Sequence, residues 1–304
     1  MSTSPRAFAP LDLLQIVAVA AIWGANNVAA KIALLWLPPF LTVAMRFLLV
    51  LVALAPWIRL PPQRGLPLLI AMLLCVGPLH FAIQYFGLHL ARELAPMVVA
   101  MQLWAPASVV FAAMLLGERV GALRWLGVGL AFAGAASMNF DPSVFAQIAP
   151  LALVASAACL YGLGAVLVRK IGAASNPWVM QTWIALLAAP TMLIASAAFE
   201  GGQVEAVLRA PWYVWACVMF GGIVSSVVAN AFMFRLVQRY EVSRTTPYLL
   251  LSPVLSFFLA AVVLGDHITW RIVAGAMATL AGVALVALAE GRFRTVATAD
   301  AHAA

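Results

Sequence analysis

The chain has 304 residues, of which 65% are apolar and 9% are charged, and its formal net charge is +7. Soluble globular domains contain about 45–50% apolar and about 25% charged residues, so this composition excludes a water-soluble protein. The seventeen basic residues are dispersed in ones and twos, which argues against nucleic acid as a partner. We therefore expect the lipid bilayer to surround the chain.

Ten continuous apolar segments follow one another along the sequence. Each reaches or approaches the roughly 20 residues that a helix needs to cross a bilayer. The segments do not alternate with the period of two that barrel strands require. We predict an all-α polytopic membrane protein with ten transmembrane helices, at residues 13–36, 40–58, 66–88, 95–116, 123–138, 149–168, 178–199, 212–234, 246–264 and 272–288.

The basic residues of the loops predict the orientation of these spans, because short cytoplasmic loops carry an excess of Lys and Arg. With a cytoplasmic N-terminus, that side holds Arg6, Arg59, Arg64, Arg119, Arg124, Arg169, Lys170, Arg235, Arg239, Arg244, Arg292 and Arg294. The opposite side holds only Arg92, Arg209 and Arg271. We therefore expect both termini in the cytoplasm, as tails of residues 1–12 and 291–304.

The two halves of the chain contain a weak internal repeat. Residues 116–120 read LGERV, and residues 264–268, at an offset of 148, read LGDHI. Nearly the same offset pairs Gly127 with Gly275, Gly134 with Gly282, and Pro106 with Pro253. Glycine spacing alone also arises from close helix packing. Several pairs in order favour two repeats, residues 13–140 and 141–290, and an odd number of spans in each makes them inverted, as in many secondary transporters.

Four short motifs also resemble a known family. They are residues 22–26 (IWGAN), Pro38-Pro39 followed by Met45-Arg46-Phe47, residues 116–119 (LGER) and residues 239–241 (RYE). These segments are similar to EamA-type drug/metabolite transporters, and the resemblance covers residues 13–288. It implies ten helices in two EamA repeats, an inner-membrane carrier and export of cysteine-pathway metabolites or other amino acids. The direction, export, is implied by the resemblance alone.

Charged residues inside the predicted spans are few. Every carboxylate falls at a span end, in a loop or in a tail, which argues against a cation exporter built on a buried carboxylate. Lys31 and Arg46 lie in the outer half of the bilayer. We predict that one of them, Arg46 in preference to Lys31, binds the carboxylate of an amino-acid-like substrate. The alternatives are that Lys31 extends to lipid head groups and that Arg46 ties helix ends together through backbone carbonyls.

Polar and aromatic side chains near mid-depth share helix faces, as at His80 and Gln84, four residues apart. The candidate substrate-binding residues are Trp23, Asn27, Arg46, His80, Gln84, Trp104, Tyr161, Tyr248 and Ser252. One interpretation is an aromatic-lined cavity for a small ligand. The other is packing between helices, which we favour for Asn27 and Ser252. Because histidine titrates near neutral pH, His80 is the candidate for proton coupling.

Other functional classes lack the residues that they need. The three cysteines lie inside predicted spans and the four histidines are dispersed, so we expect no metal, no cofactor and no enzyme active site. We interpret the chain as an inner-membrane secondary transporter that exports small neutral or zwitterionic metabolites, amino acids foremost, by alternating access. Its expected partners are that substrate and the bilayer, and the oligomeric state stays open. The alternative is a carrier of drugs or purine-like compounds held by the aromatic lining.

Overall fold

A computed structural model describes residues 10–59, 65–117, 120–137, 147–171, 176–239, 249 and 251–303. All regular structure in these residues is helical. In the first half the helices are α1 (Pro10–Leu34), α2 (Pro39–Ala53), α3 (Leu66–Val76), α4 (Pro78–Leu90), α5 (Ala95–Met101), α6 (Trp104–Leu116) and α7 (Ala122–Ser137). A short 3₁₀ turn, Ala55–Trp57, follows α2.

The second half begins with α8 (Ile148–Ile171), α9 (Pro177–Phe199), the short α10 (Gln203–Arg209) and α11 (Trp212–Met219). A π-helix, Phe220–Ala229, continues α11 into α12 (Asn230–Arg239). Then come α13 (Leu251–Leu259), a second π-helix (Ala260–Leu264) and α14 (Trp270–Ala303). α14 therefore extends well beyond residue 288, where the sequence predicted a span to end.

Six apolar helical segments of the described residues are long enough to cross a membrane, and four shorter ones accompany them. The six are Pro10–Leu34, Leu66–Leu90, Ala95–Leu116, Ile148–Val168, Pro177–Phe199 and Trp212–Met233, and the four are Pro39–Ala53, Ala122–Ser137, Leu251–Leu264 and Trp270–Val286. Each coincides with one predicted span. Large apolar side chains such as Val52 and Val262 point outward, 78% and 67% exposed, which suits contact with lipid.

Proline explains two breaks inside the predicted spans. α3 and α4 meet at Gly77, because Pro78 has no N–H to donate and its ring crowds the preceding turn. α5 and α6 meet at residues 102–103, where Pro106 leaves the carbonyl of Gln102 without its helical donor. Two predicted spans are thus pairs of shorter helices.

The helices of one half pack mainly against helices of the other half. α2 packs on α9, and α7 packs on α14 along most of its length. α8 lies between α3, α4 and α6, whereas α1 lies against α11, α13 and the first π-helix. One buried apolar cluster, which includes Phe47, Leu88 and Met97, draws on both halves.

The α7–α14 contact requires glycine. A Cβ added to Gly134 would lie 2.5 Å from the Thr279 nitrogen and 2.8 Å from the Gly275 carbonyl oxygen. A Cβ added to Gly282 would lie 2.6 Å from the Gly127 carbonyl oxygen. The glycines that match between the halves therefore face each other across this contact, where small residues let two backbones approach.

Two side chains from the second half of the chain bind the turn between α4 and α5. Gln147 Oε1 accepts hydrogen bonds from the N–H groups of residues 92 and 93, at 2.8 and 3.0 Å. Asp266 Oδ2 accepts from those of residues 94 and 95, at 2.6 and 2.8 Å. The second half therefore satisfies two donors of the turn and two donors at the start of α5.

Lys31 binds the carbonyl side of the same turn. Its Nζ donates to the carbonyl oxygen of Leu88, at 2.7 Å, and to that of Ala91. Lys31 is only 6% exposed, so the alternative that it extends to head groups is wrong. Burial raises the pKa of Asp266, while its hydrogen bonds to residues 95 and 94 and the charges of Lys31 and His267 act in the opposite direction.

Candidate functional site

Arg46 is a buried cation held by hydroxyl groups. It lies on α2 and is 7% exposed. Its Nε donates to Ser226 Oγ at 3.1 Å, and its Nη1 donates to Tyr85 Oη at 2.7 Å. The guanidinium carbon lies 5.1 Å from the centre of the Phe81 ring, within the range of a cation–π contact. Among the described residues, these contacts of Arg46 involve hydroxyl groups and a ring, not backbone carbonyls.

No carboxylate of the described residues forms an ion pair with Arg46. Moving an unpaired charge from water into a low-dielectric interior costs several kcal/mol. Hydroxyl groups and an aromatic face recover part of this cost, but they supply no negative charge. The arrangement is suited to an anionic group that comes from outside the chain.

A chain of aromatic rings leads from Arg46 to Trp104. The His80 ring lies 4.8 Å from the Phe81 ring and 5.0 Å from the Tyr161 ring, centre to centre. Trp104 meets Tyr161 edge to face at 5.8 Å. His80, Tyr161 and Trp104, which the sequence predicted as site residues, thus lie together, on α4, α8 and α6. His80 Nδ1 is 2.8 Å from the carbonyl oxygen of Ala157, so this ring nitrogen forms a hydrogen bond with the backbone of α8.

Two buried amide oxygens near these groups lack a hydrogen-bond donor within the part of the chain that the structure describes. Gln84 Nε2 donates to Met101 Sδ at 3.4 Å, but Gln84 Oε1 has no partner. Asn26 Oδ1 is also buried without a partner. A buried acceptor without a donor costs about 1–3 kcal/mol. Both oxygens could accept hydrogen bonds from a ligand.

Asn27 and Ser252 serve the contact between α1 and α13. Asn27 Nδ2 donates to Ser256 Oγ at 2.9 Å, and Ser256 Oγ donates to the Gly24 carbonyl at 2.8 Å. A Cβ at Gly24 would lie 2.8 Å from the carbonyl oxygen of Ser252. Helix packing accounts for these contacts, as favoured above. Trp23 lies half-buried on α1, and Tyr248 lies outside the described residues.

Several residues of the site were not among the predicted ones: Asn26, Phe81, Tyr85 and Ser226. Phe81 and Tyr85 are four residues apart, so they form a stripe beside that of His80 and Gln84. This signal was present in the sequence. The contribution of Ser226 was not, because it depends on how the π-helix packs against α2.

The family model described as "EamA-like transporter family" matches residues 11–140 and again residues 148–288. The chain belongs to this family. It is accordingly a multi-pass membrane transporter, which confirms the resemblance seen in the short motifs. The chain also shares its fold with a solved protein. One crystal structure superposes with a TM-score of 0.62 at 19% sequence identity, and the match covers 94% of this chain and 99% of the other.

Curated relatives match this chain over most of their own length. A protein of Salmonella typhimurium named "Probable amino-acid metabolite efflux pump" is 27% identical over 273 residues, covering 87% of this chain and 91% of the relative. The Escherichia coli protein of the same name is 26% identical, with the same coverage. A Bacillus subtilis protein named as an uncharacterised transporter is 24% identical, covering 87% of this chain and 88% of the relative.

Proposed function

We propose that this transporter exports small zwitterionic or neutral metabolites, amino acids foremost, across the cell's inner membrane by alternating access. In this proposal ten helices cross the membrane as two inverted five-helix repeats, residues 13–140 and 141–290, and both termini are cytoplasmic. The substrate occupies the space among α1, α2, α4 and the first π-helix. The aromatic chain from Phe81 to Trp104 lines its route.

The uncompensated charge of Arg46 is the observation that supports the substrate class. A carboxylate that enters from solution supplies the counter-charge that the described residues do not, and a guanidinium can bind it through two parallel hydrogen bonds. Lys31 is less suited to this role because backbone carbonyls already accept from its Nζ. The amide oxygens of Gln84 and Asn26 offer acceptors for an amine.

Equivalent helix pairs support the inverted repeats. α1 packs on α13 in the same way that α8, its counterpart in the second half, packs on α6. The pairs α2–α9 and α7–α14 each join one helix to its own counterpart. This exchange of partners is what a two-fold axis in the membrane plane produces.

An export assay tests the proposal. A host without its own amino-acid exporters would express the chain, and the amino acids released into the medium would be measured. We expect selective release of a few amino acids. Arg46→Gln should reduce the release at least about tenfold, because it removes a charge-assisted interaction worth about 1.5–3 kcal/mol.

Arg209→Gln is the matched control, since Arg209 is exposed and its described ion pair is with Glu205, four residues away on α10. It should release amino acids at the normal rate. If the unmutated protein is inserted in the membrane and the medium gains no amino acids, amino-acid export is contradicted. Normal release by Arg46→Gln would remove the carboxylate role of Arg46.

The aromatic chain from Phe81 to Trp104 favours a second candidate, export of planar drugs or purine-like compounds. Aromatic faces bind flat rings by stacking, independently of a carboxylate. Trp104→Ala distinguishes the candidates. Loss of drug or nucleobase resistance together with unchanged amino-acid release would favour this second function.

A further inference from the structure

Two adjacent glycines of the first π-helix face different surroundings. A Cβ at Gly222 would lie 2.9 Å from Leu49 Cβ and 3.1 Å from the Arg46 carbonyl oxygen, so Gly222 permits close packing on α2. A Cβ at Gly221 would meet no backbone of another described helix within 4 Å. Only two side-chain atoms approach it, Asn26 Oδ1 at 3.1 Å and Arg46 Nη1 at 3.8 Å. Packing against a helix backbone therefore explains Gly222, whereas Gly221 makes room for the side chains of Asn26 and Arg46.

Two side-chain groups of opposite character lie beside Gly221. One is the guanidinium of Arg46, a cation with no described carboxylate partner. The other is Asn26 Oδ1, a buried acceptor that has no hydrogen-bond donor among the described residues. Its neighbour Asn27 is already engaged with Ser256, so the two asparagines have separate roles. Gly221 is buried, so both groups lie against the interior of the helix bundle.

We infer that Arg46 and Asn26, which both lie beside Gly221, form a clamp for the main-chain part of an α-amino acid. The carboxylate binds the Arg46 guanidinium, and the α-ammonium donates to Asn26 Oδ1. An α-amino acid carries these two groups on one carbon, so it satisfies the unpaired cation and the unpaired acceptor together. This inference rests on the proposed function and specifies which part of the substrate is recognised.

The chemistry of the clamp predicts its selectivity. A 2-hydroxy acid keeps the carboxylate but offers Asn26 one neutral donor instead of an ammonium group, and hydrogen bonds to charged groups are about twice as strong as neutral ones. A 2-keto acid offers no donor at that position, so Asn26 Oδ1 stays unpaired in its complex. Because an asparagine amide is neutral, the clamp as a whole carries one positive charge and matches one carboxylate.

The test uses the full chain in proteoliposomes, with efflux of radiolabelled L-alanine and L-phenylalanine as probes. Unlabelled L-lactate and L-phenyllactate, the matched 2-hydroxy acids, serve as competitors beside the unlabelled amino acids. In the unmutated protein each amino acid should compete at least about tenfold better than its hydroxy analogue. Asn26→Leu should reduce this preference to less than about twofold, because it removes the acceptor that distinguishes the two.

Gly221→Ala provides an independent test, since the added methyl group occupies the clamp without meeting another helix backbone. It should abolish efflux of both probes while the amount of inserted protein stays normal. Gly129→Ala is the control, because a Cβ at Gly129 has nothing within 4 Å. It should leave efflux unchanged. Were Gly221→Ala to fold poorly, the result with Asn26→Leu would decide.

The outcomes separate the two proposals. Amino-acid efflux with an intact preference in Asn26→Leu, or normal efflux in Gly221→Ala, would overturn the clamp and leave amino-acid export standing. Absence of efflux of any amino acid from the unmutated protein would overturn both. Loss of preference in Asn26→Leu with retained efflux of the probes would support both.

Discussion

The two cations buried in the predicted spans have different surroundings. Lys31 donates to the carbonyl oxygens of Leu88 and Ala91, which end α4, and it lies within electrostatic range of Asp266. Arg46 instead contacts two hydroxyl groups and an aromatic ring. The first arrangement satisfies a helix end, whereas the second leaves the guanidinium without a carboxylate partner among the described residues. Burial alone would not have distinguished them, since both are less than 10% exposed.

Tyr85 should orient Arg46, because its hydroxyl group accepts from Nη1 at 2.7 Å. Tyr85→Phe removes that acceptor and keeps the ring, which is 3% exposed. A hydrogen bond to a charged group contributes about 1.5–3 kcal/mol, so we expect transport efficiency to fall about tenfold or more. Initial rates over a range of substrate concentrations would measure this. Tyr213→Phe, at an exposed position, is the control; equal rates in both variants would contradict the role of Tyr85.

The sequence predicted some site residues and not others for identifiable reasons. His80, Tyr161 and Trp104 are large polar or aromatic residues at mid-span positions, where lipid cannot satisfy a polar group, and they do lie together. The difference between Asn26 and Asn27 could not be predicted. It depends on which of two neighbouring amides faces α13 and which faces the π-helix, and sequence periodicity does not resolve one residue.

At the scale of elements, three side chains from elsewhere hold the turn between α4 and α5. Lys31 comes from α1, Gln147 precedes α8, and Asp266 lies between α13 and α14. Glu200 does the same for α2, since its two carboxylate oxygens accept from the N–H groups of Phe40 and Leu41, at 2.6 and 3.1 Å. These helix ends lie on the side that the loop charges predict to be outer, so their release would accompany opening toward that side.

Asp266 should make stability depend on pH. Burial raises its pKa in the folded state, so its contribution to the free energy of unfolding is fully present below the ordinary carboxyl pKa of about 3.9. That contribution is lost as the pH rises through the raised pKa. The charged groups that act on this carboxylate are Lys31 on α1 and His267 beside it.

Asp266→Asn keeps an acceptor oxygen and cannot titrate in this range. Thermal unfolding midpoints of both proteins in detergent, measured from about pH 4 to about pH 7, should therefore diverge as the pH rises, with the unmutated protein losing stability relative to the variant. Glu200→Gln serves as the comparison for another helix-capping carboxylate. Parallel curves for Asp266→Asn and the unmutated protein would argue against a raised pKa.

At the scale of the whole molecule, hydropathy predicted where helices occur, because continuous apolar runs of this length have few other stable structures in lipid. Hydropathy did not predict the π-helices, whereas the two divided spans contain Gly77-Pro78 and Pro106, which indicate a break in the sequence itself. A break depends on one proline and its local backbone, and a π-helix depends on packing with neighbouring helices. The pairing of helices across the halves could not be predicted either, because it depends on the tertiary structure.

Fusion proteins test the predicted orientation. Green fluorescent protein at the C-terminus should fluoresce, because it folds in the cytoplasm, and alkaline phosphatase inserted after Gly202 should be active outside. The excess of Lys and Arg on one set of loops is the physical reason. The reverse pattern of fluorescence and phosphatase activity would show the inverse orientation. Green fluorescent protein fused after Arg59 should fluoresce as the C-terminal fusion does, because both positions are predicted to be cytoplasmic.

The pairing of α2 with α9, and of α7 with α14, has a consequence for synthesis. The first five predicted spans leave the ribosome before any of these partners exists. Their glycine-lined surfaces, such as that around Gly134, therefore stay without their partner helices while some 140 further residues are translated. Nascent first halves of two different chains could pair in the meantime. The rate at which the second half is made therefore limits how long each newly inserted half remains open to the wrong partner.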